Sequence, residues 1–314
     1  QALMTSQELD QEVEPGSHRL AVFEPVLGQR ELQYVLNVLA SGRITSDQFV
    51  ARFERLFAEA LGVRHAVATC NGTAALHLAL AALRVGPGDD VIVPALTFVA
   101  TATAVLACGA RPVLCDVDSQ TWCLDPQAVA AAMTPRTKAI IPVDLYGYPV
   151  PIQPLEHFGL PLIEDAAEAI GTCRPVTPIG STFAAIFSFY GNKTLTCGEG
   201  GMVLTQDDAT YARLRFLAAN GSTKRYWHEE AGFNYRLSDL HAAVGCGQVE
   251  RIAWHIARRQ EVAAWYGRWL PREVTQQPAP LTGRHGHWAV AVLVPSWCDR
   301  DTVMAILDAQ GIET

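Results

Sequence analysis

Lysine is scarce in this 314-residue chain: it occurs three times, at 138, 193 and 224, against 21 arginines. A lysine placed in an apolar stretch therefore draws attention to its amine rather than its charge. No Lys/Arg-rich run interrupts a formal net charge of −8, which argues against nucleic acid as a partner. No uninterrupted apolar stretch of about 18 residues occurs, so no membrane span is expected, and no signal-peptide pattern opens the chain. The eight cysteines form no C-x-x-C pair and no His-rich cluster accompanies them. Reduced thiols in a cytoplasmic protein without a metal site are expected. No G-x-G-x-x-G follows a strand, and Tyr190 and Lys193 give Y-x-x-K rather than Y-x-x-x-K. Both absences count against a nicotinamide cofactor.

What the chain does have is apolar material, 49% of its residues, enough for one large domain and a smaller one, or two of middling size. Between residues 50 and 205, short apolar runs alternate with helical patterns. HAVAT (65–69), VIVPA (91–95), RPVLCDVD (111–118), AIIPVDL (139–145), PLIEDA (161–166), FAAIFSF (183–189) and GMVLT (201–205) read as strands. TAALHLALAAL (73–83) and FVATATAVLAC (98–108) read as helices. This alternation predicts an α/β fold, a mostly parallel sheet covered by helices. After 205 the pattern turns helical, with one long helix over 237–270, broken near Gly245 and Gly247. A strand at 288–294 and a helix at 300–310 follow. The division expected is a flexible segment 1–20, a large α/β domain 21–220 and a smaller α+β domain 221–314.

Ligands of such sheets sit at the carboxyl ends of the strands, and three stretches fall there. In NGTAAL (71–76), Gly72 permits close backbone approach and Thr73 stands at a helix N-terminus, where free amides favour a phosphate. The same stretch also reads as an ordinary capped turn. In EDAAE (164–168), Asp165 can meet a cationic ring nitrogen or merely cap a helix, and Glu168 follows one helical turn later. In FSFYGNKTLTCGEGG (187–201), Ser188 precedes Lys193 by five residues. Phe187, Phe189 and Tyr190 are expected to desolvate Lys193 and depress its pKa, freeing a neutral amine to attack a carbonyl. The alternative is a lysine reaching from a loop to solvent. Phosphate cradle, ring-nitrogen carboxylate and amine together are the requirements of pyridoxal phosphate.

NGTAAL, PALTFVATA, EDAAEAIG, SFYGNKTLTCGEGGMV and GFNYRLSDLHAAVGCGQ, in this order, resemble the DegT/DnrJ/EryC1/StrS family of sugar aminotransferases over residues 20 to 311. The resemblance implies a pyridoxal phosphate-dependent, aspartate aminotransferase-like fold (fold type I). It makes Lys193 the Schiff-base lysine and proton carrier, and Asp165 the partner of the pyridine nitrogen. Glu168 would lie beside the phenolic oxygen, Phe98 would stack on the ring, and Gly72, Thr73 and Ser188 would hold the phosphate. Asn234 would reach the phosphate of a second subunit, implying a homodimer with shared sites. Arg225, Trp227 and His228 are candidates for contact with the sugar nucleotide. SFYGNKT and RYWHEEAGFNYR are most similar to the branch that aminates GDP-4-keto-6-deoxymannose with glutamate as donor. Amination of another keto-sugar nucleotide, and a non-catalytic regulatory role, are the alternatives. The family pattern also runs on beyond GIET, so the smaller domain is expected to be incomplete relative to it.

Overall fold

A computed structural model describes residues 19–45, 47–224 and 226–314. The expected flexible segment 1–20 therefore lies, but for its last two residues, outside the described part. The described chain groups into two compact units. The larger comprises Pro25–Pro271 and Gln276–Val292; the smaller comprises the described residues up to Glu24, Arg272–Thr275 and Leu293–Thr314.

The larger unit is built on seven strands: β1 (His65–Thr69), β2 (Asp90–Pro94), β3 (Arg111–Cys115), β4 (Thr137–Ile140), β5 (Ile163–Asp165), β6 (Ala184–Ser188) and β7 (Gly201–Thr205). β2 pairs in parallel with β3 and β4. Parallel bridges Ile140–Leu162 and Val143–Asp165 carry the sheet on to β5, and β5 pairs in parallel with β6. β7 lies antiparallel between β6 and β1. The spatial order is 3-2-4-5-6-7-1, with β7 alone reversed. The mostly parallel sheet read from the sequence is the one found.

Both faces of the sheet are covered, which is why its strands are apolar at nearly every position. Between them run α3 (Gly72–Ala82), α4 (Ala100–Ala107), α5 (Pro126–Ala132) and α6 (Ile152–Glu156); α7 (Asp208–Ala218) follows β7. Before β1 stand α1 (Gln29–Ser41) and α2 (Gln48–Leu61). β6 shows the period-2 logic plainly. Ala185 and Phe187, with Phe189 just beyond, enter the core shared with α2, while Ala184 and Ile186 enter the core shared with α3 and α4. Phe187 meets Phe57 edge-on at 5.0 Å and Phe189 meets Phe53 at 4.8 Å.

This arrangement corrects the expectation for Lys193. Phe187 and Phe189 are spent on the core, not on the lysine. A second difference concerns the long helix expected over 237–270. It is two helices, α8 (Asp239–Val249) and α9 (Ile252–Trp269), and the break falls at Glu250–Arg251 rather than at the glycines. Gly245 instead lets α8 settle on α2, since a Cβ there would stand 2.8 Å from the Phe53 ring. Both helices belong to the larger unit.

In the smaller unit, α10 (Arg300–Ala309) is capped by the Asp299 side chain, which accepts from the Thr302 amide. Leu20 donates to Gly311 O at 2.8 Å and accepts from the Glu313 amide at 2.9 Å. Arg19 pairs with Asp308.

Candidate active site

β5 and β6 are parallel and adjacent, with Asp165 opposite Ile186, so Asp165 and, two residues further along β6, Ser188 both lie at the carboxyl end of the sheet. The turns leaving β1, β2 and β4 converge on the same edge. A cavity of about 330 Å³ opens there, and Gly72, Thr73, Phe98, Asp165, Glu168, Ser188 and Lys193 all line it. Seven residues chosen from four separate stretches of sequence are thus brought to one place.

The α3 N-terminus is shaped for close approach. Asn71 caps the helix by accepting from the Ala74 amide at 2.8 Å, and Thr73 in the first turn is exposed. A Cβ on residue 72 would stand 2.9 Å from Ser188 Cβ, so only glycine lets the helix end lie against β6. Amides at a helix start beside a serine hydroxyl form a surface suited to an anion.

Asp165 is 5% exposed. Its Oδ2 accepts from the Thr101 hydroxyl at 2.7 Å and its Oδ1 from the Ala167 amide at 3.2 Å. Burial pushes its pKa up to about 6, with the Thr101 hydrogen bond opposing and the Glu168 charge assisting. Glu164, one residue earlier, faces the other side of the strand. There Arg174 pairs with both Glu164 and Asp144. Burial first, and the Asp144 charge second, hold the Glu164 carboxyl well above the ordinary range.

Lys193 is held by two groups. Its Nζ lies 3.2 Å from Glu168 Oε1 and 4.0 Å from the centroid of the Trp288 ring. The other Glu168 oxygen accepts from the Tyr146 amide at 2.7 Å. Trp288 donates Nε1–H to Asn192 O at 2.9 Å, and its ring lies nearly parallel to Tyr146, 6.4 Å away. Its backbone amide donates to Tyr146 O at 2.9 Å. The strand expected over 288–294 is reduced to Val292–Leu293.

Thr101, Tyr146 and Trp288 were not singled out in the sequence. Thr101 sits inside the quoted stretch PALTFVATA, at the helical spacing that follows a strand end. Tyr146 and Trp288 carry no local signal. Of the other candidates, Asn234 is exposed, with its Oδ1 accepting twice from Arg236 at 2.8 and 3.0 Å. Trp227 and His228, both exposed, pair antiparallel with Ser222–Lys224 in a two-stranded sheet, and neither lines the cavity. Arg225 lies outside the described residues.

The chain belongs to the DegT/DnrJ/EryC1/StrS aminotransferase family, whose model matches residues 25–314. It is 45% identical over 309 residues to a GDP-perosamine synthase of Caulobacter vibrioides, across 94% of this chain and 83% of the relative. The solved structure of DesI in the presence of its TDP-sugar product matches with TM-score 0.87 and 34% identity, over 95% of this chain and 79% of that one. The PMP-form of a putative sugar aminotransferase of Streptococcus pneumoniae matches with TM-score 0.89 and 25% identity, over 94% and 83%.

Proposed function

We propose that the chain binds pyridoxal 5′-phosphate in this cavity and transfers the amino group of glutamate to GDP-4-keto-6-deoxymannose, giving the amino-sugar nucleotide. The observation that carries the reading is that Lys193, Asp165 and the Gly72–Ser188 contact line one cavity. The donor set fits the cofactor. Gly72 leaves open the space that a Cβ would fill beside Ser188, so amides and hydroxyl can hold a phosphate. Asp165 is a buried carboxyl that a ring cation would ionise.

When bound, the cofactor supplies an electron sink for charge developing at the carbon next to nitrogen. Lys193 would carry the proton to and from that carbon, a task for a positioned amine. Asp165, aimed by Thr101, would keep the ring nitrogen protonated by electrostatics. Phe98, 71% exposed, would cover one ring face. Glu168, fixed by the Tyr146 amide, would lie beside the ring's phenolic oxygen. The donor's carboxylates and the nucleotide's diphosphate need cations as well. Among the described residues the cavity lining holds one lysine and no arginine, which supports completion of the site by a second copy of the chain. Asn234 would serve the partner's phosphate there. The eight free thiols support a reducing, cytoplasmic setting.

The GDP-perosamine synthase relative supports the guanine nucleotide, and the TDP-sugar product of the DesI structure sets the alternative. The test is an amination screen of GDP- and TDP-linked keto sugars with glutamate as donor, preceded by mixing protein, pyridoxal phosphate and glutamate alone. Conversion of the cofactor to its amine form with glutamate, followed by amination of the GDP sugar, is expected. No conversion would leave a non-catalytic binding protein instead.

A further inference from the structure

Trp288 enters the cavity from a distant part of the chain, and its place is fixed on three sides. The indole N–H is tied to Asn192 O at 2.9 Å, one residue from the lysine. Its backbone amide is tied to Tyr146 O at 2.9 Å. Its carbonyl accepts from Arg259 Nη1 at 2.8 Å. Tyr146 also holds Glu168 through its own amide, at 2.7 Å. The two groups that touch Lys193 Nζ, a carboxylate and an indole face, are therefore both tethered to one residue. Tyr146 itself adopts a left-handed backbone, φ 58°, an uncommon conformation for a non-glycine residue. The backbone is bent so that its amide meets Glu168 while its carbonyl meets Trp288.

An ammonium over an indole face is attracted by the ring quadrupole, most strongly where water is excluded. The Lys193 side chain is 12% exposed. We infer that Trp288 is a positioning residue: its ring face, with Glu168, is the perch on which the Lys193 ammonium waits whenever it is not joined to a carbonyl. From that perch the amine is kept beside the cavity instead of swinging to solvent. To attack a carbonyl it must leave the ring face and surrender a proton. The inference rests on the assignment of Lys193 as the amine nucleophile.

The step to be followed is imine formation. The neutral Lys193 nitrogen attacks the aldehyde carbon of added pyridoxal phosphate, a C=N bond forms, and the aldehyde oxygen leaves as water. The full-length protein, stripped of cofactor, is prepared as wild type, Trp288→Phe and Trp288→Leu. Formation of the borohydride-reducible linkage is timed by absorbance, and steady-state constants are measured on the reloaded proteins. Phenylalanine keeps an aromatic face, smaller than the indole, and lacks the N–H bond to Asn192. Leucine removes the face. Loss of the perch is expected to speed linkage formation about fivefold in Trp288→Leu and to lower kcat about fivefold, with the KM for glutamate unchanged. Trp288→Phe should stay within about twofold of wild type on each measure. A merely structural role would slow linkage formation instead. Equal rates in all three proteins, or Phe behaving as Leu, would overturn the perch alone. No linkage at Lys193 in the wild type would overturn both the assignment of the nucleophile and this inference.

Discussion

Lys193 Nζ lies 3.2 Å from Glu168 Oε1, and the opposite oxygen of the same carboxylate accepts from the Tyr146 amide at 2.7 Å. The amine is thus steered by a side chain that is itself steered by backbone. Glu168→Gln keeps an acceptor for Tyr146 and is expected to retain activity within about tenfold. Glu168→Leu strands the partly buried Tyr146 amide and should cost about 1 kcal/mol of stability. Chemical denaturation and steady-state rates on both variants check this.

Lys193→Ala should abolish the reducible linkage to pyridoxal phosphate and lower turnover by roughly 10²–10⁴-fold, the range for a positioned proton carrier. Mass spectrometry after borohydride treatment is decisive. A cofactor adduct on the variant would place the nucleophile elsewhere.

The pKa of Asp165 is raised from 3.8 to about 6 in the folded chain, mainly by burial. The folded state therefore holds a proton that the unfolded state has already released between these values. Stability falls as pH rises through that window, by roughly 2–3 kcal/mol. Asp165→Asn cannot ionise. Its stability relative to wild type, measured without cofactor, should improve on going from pH 4 to pH 7, while its activity is largely lost. A difference independent of pH would contradict the assignment.

Gly72→Ala would place a methyl 2.9 Å from Ser188 Cβ. The expected result is a stability loss of about 1–3 kcal/mol together with weaker cofactor binding. Ser188→Ala, which leaves the space open, should weaken binding roughly 10- to 100-fold through loss of a hydrogen bond to a charged group. Equilibrium titration of each variant with pyridoxal phosphate separates the two effects.

Phe187→Ala removes a fully buried ring that packs on Phe57. It should destabilise the fold by about 3–5 kcal/mol and leave the rate of linkage formation at Lys193 unchanged below the melting transition. A large change in that rate would restore the lysine-desolvating role first read from the sequence.

The strands were legible because each is a short apolar run bounded by turn residues, and the cradle, carboxylate and lysine because each belongs to a stretch with its own local pattern. Trp288 was not legible. In sequence it is the first apolar residue of WAVAVLV, and only the turn at Tyr146, more than a hundred residues earlier, gives it a second purpose. The aromatic run before Lys193 misled for a related reason. Phe187 in β6 and Phe189 just beyond it point to the face opposite residue 188, so alternation along the chain put the two phenylalanines on the far side of the sheet. Gly245 misled as well: it answers to the close approach of Phe53 across the interface rather than to a break, and the chain leaves the helix only at Glu250–Arg251.

The reversed strand β7 has a consequence for the order in which the chain assembles. Ser188 pairs directly with Gly201, so β6, the lysine loop and β7 form a unit closed by a connection of twelve residues, 189–200. β1, by contrast, meets β7 only across most of the larger unit, His65 opposite Thr205. Local pairs close with less loss of chain entropy and form sooner. The amine should therefore be set in its loop before the N-terminus of α3 beyond β1 arrives beside it. Pulse-labelling hydrogen exchange during refolding, with protection at 185–188 and 201–204 preceding that at 66–69, is the expected signature, and the reverse order would refute it.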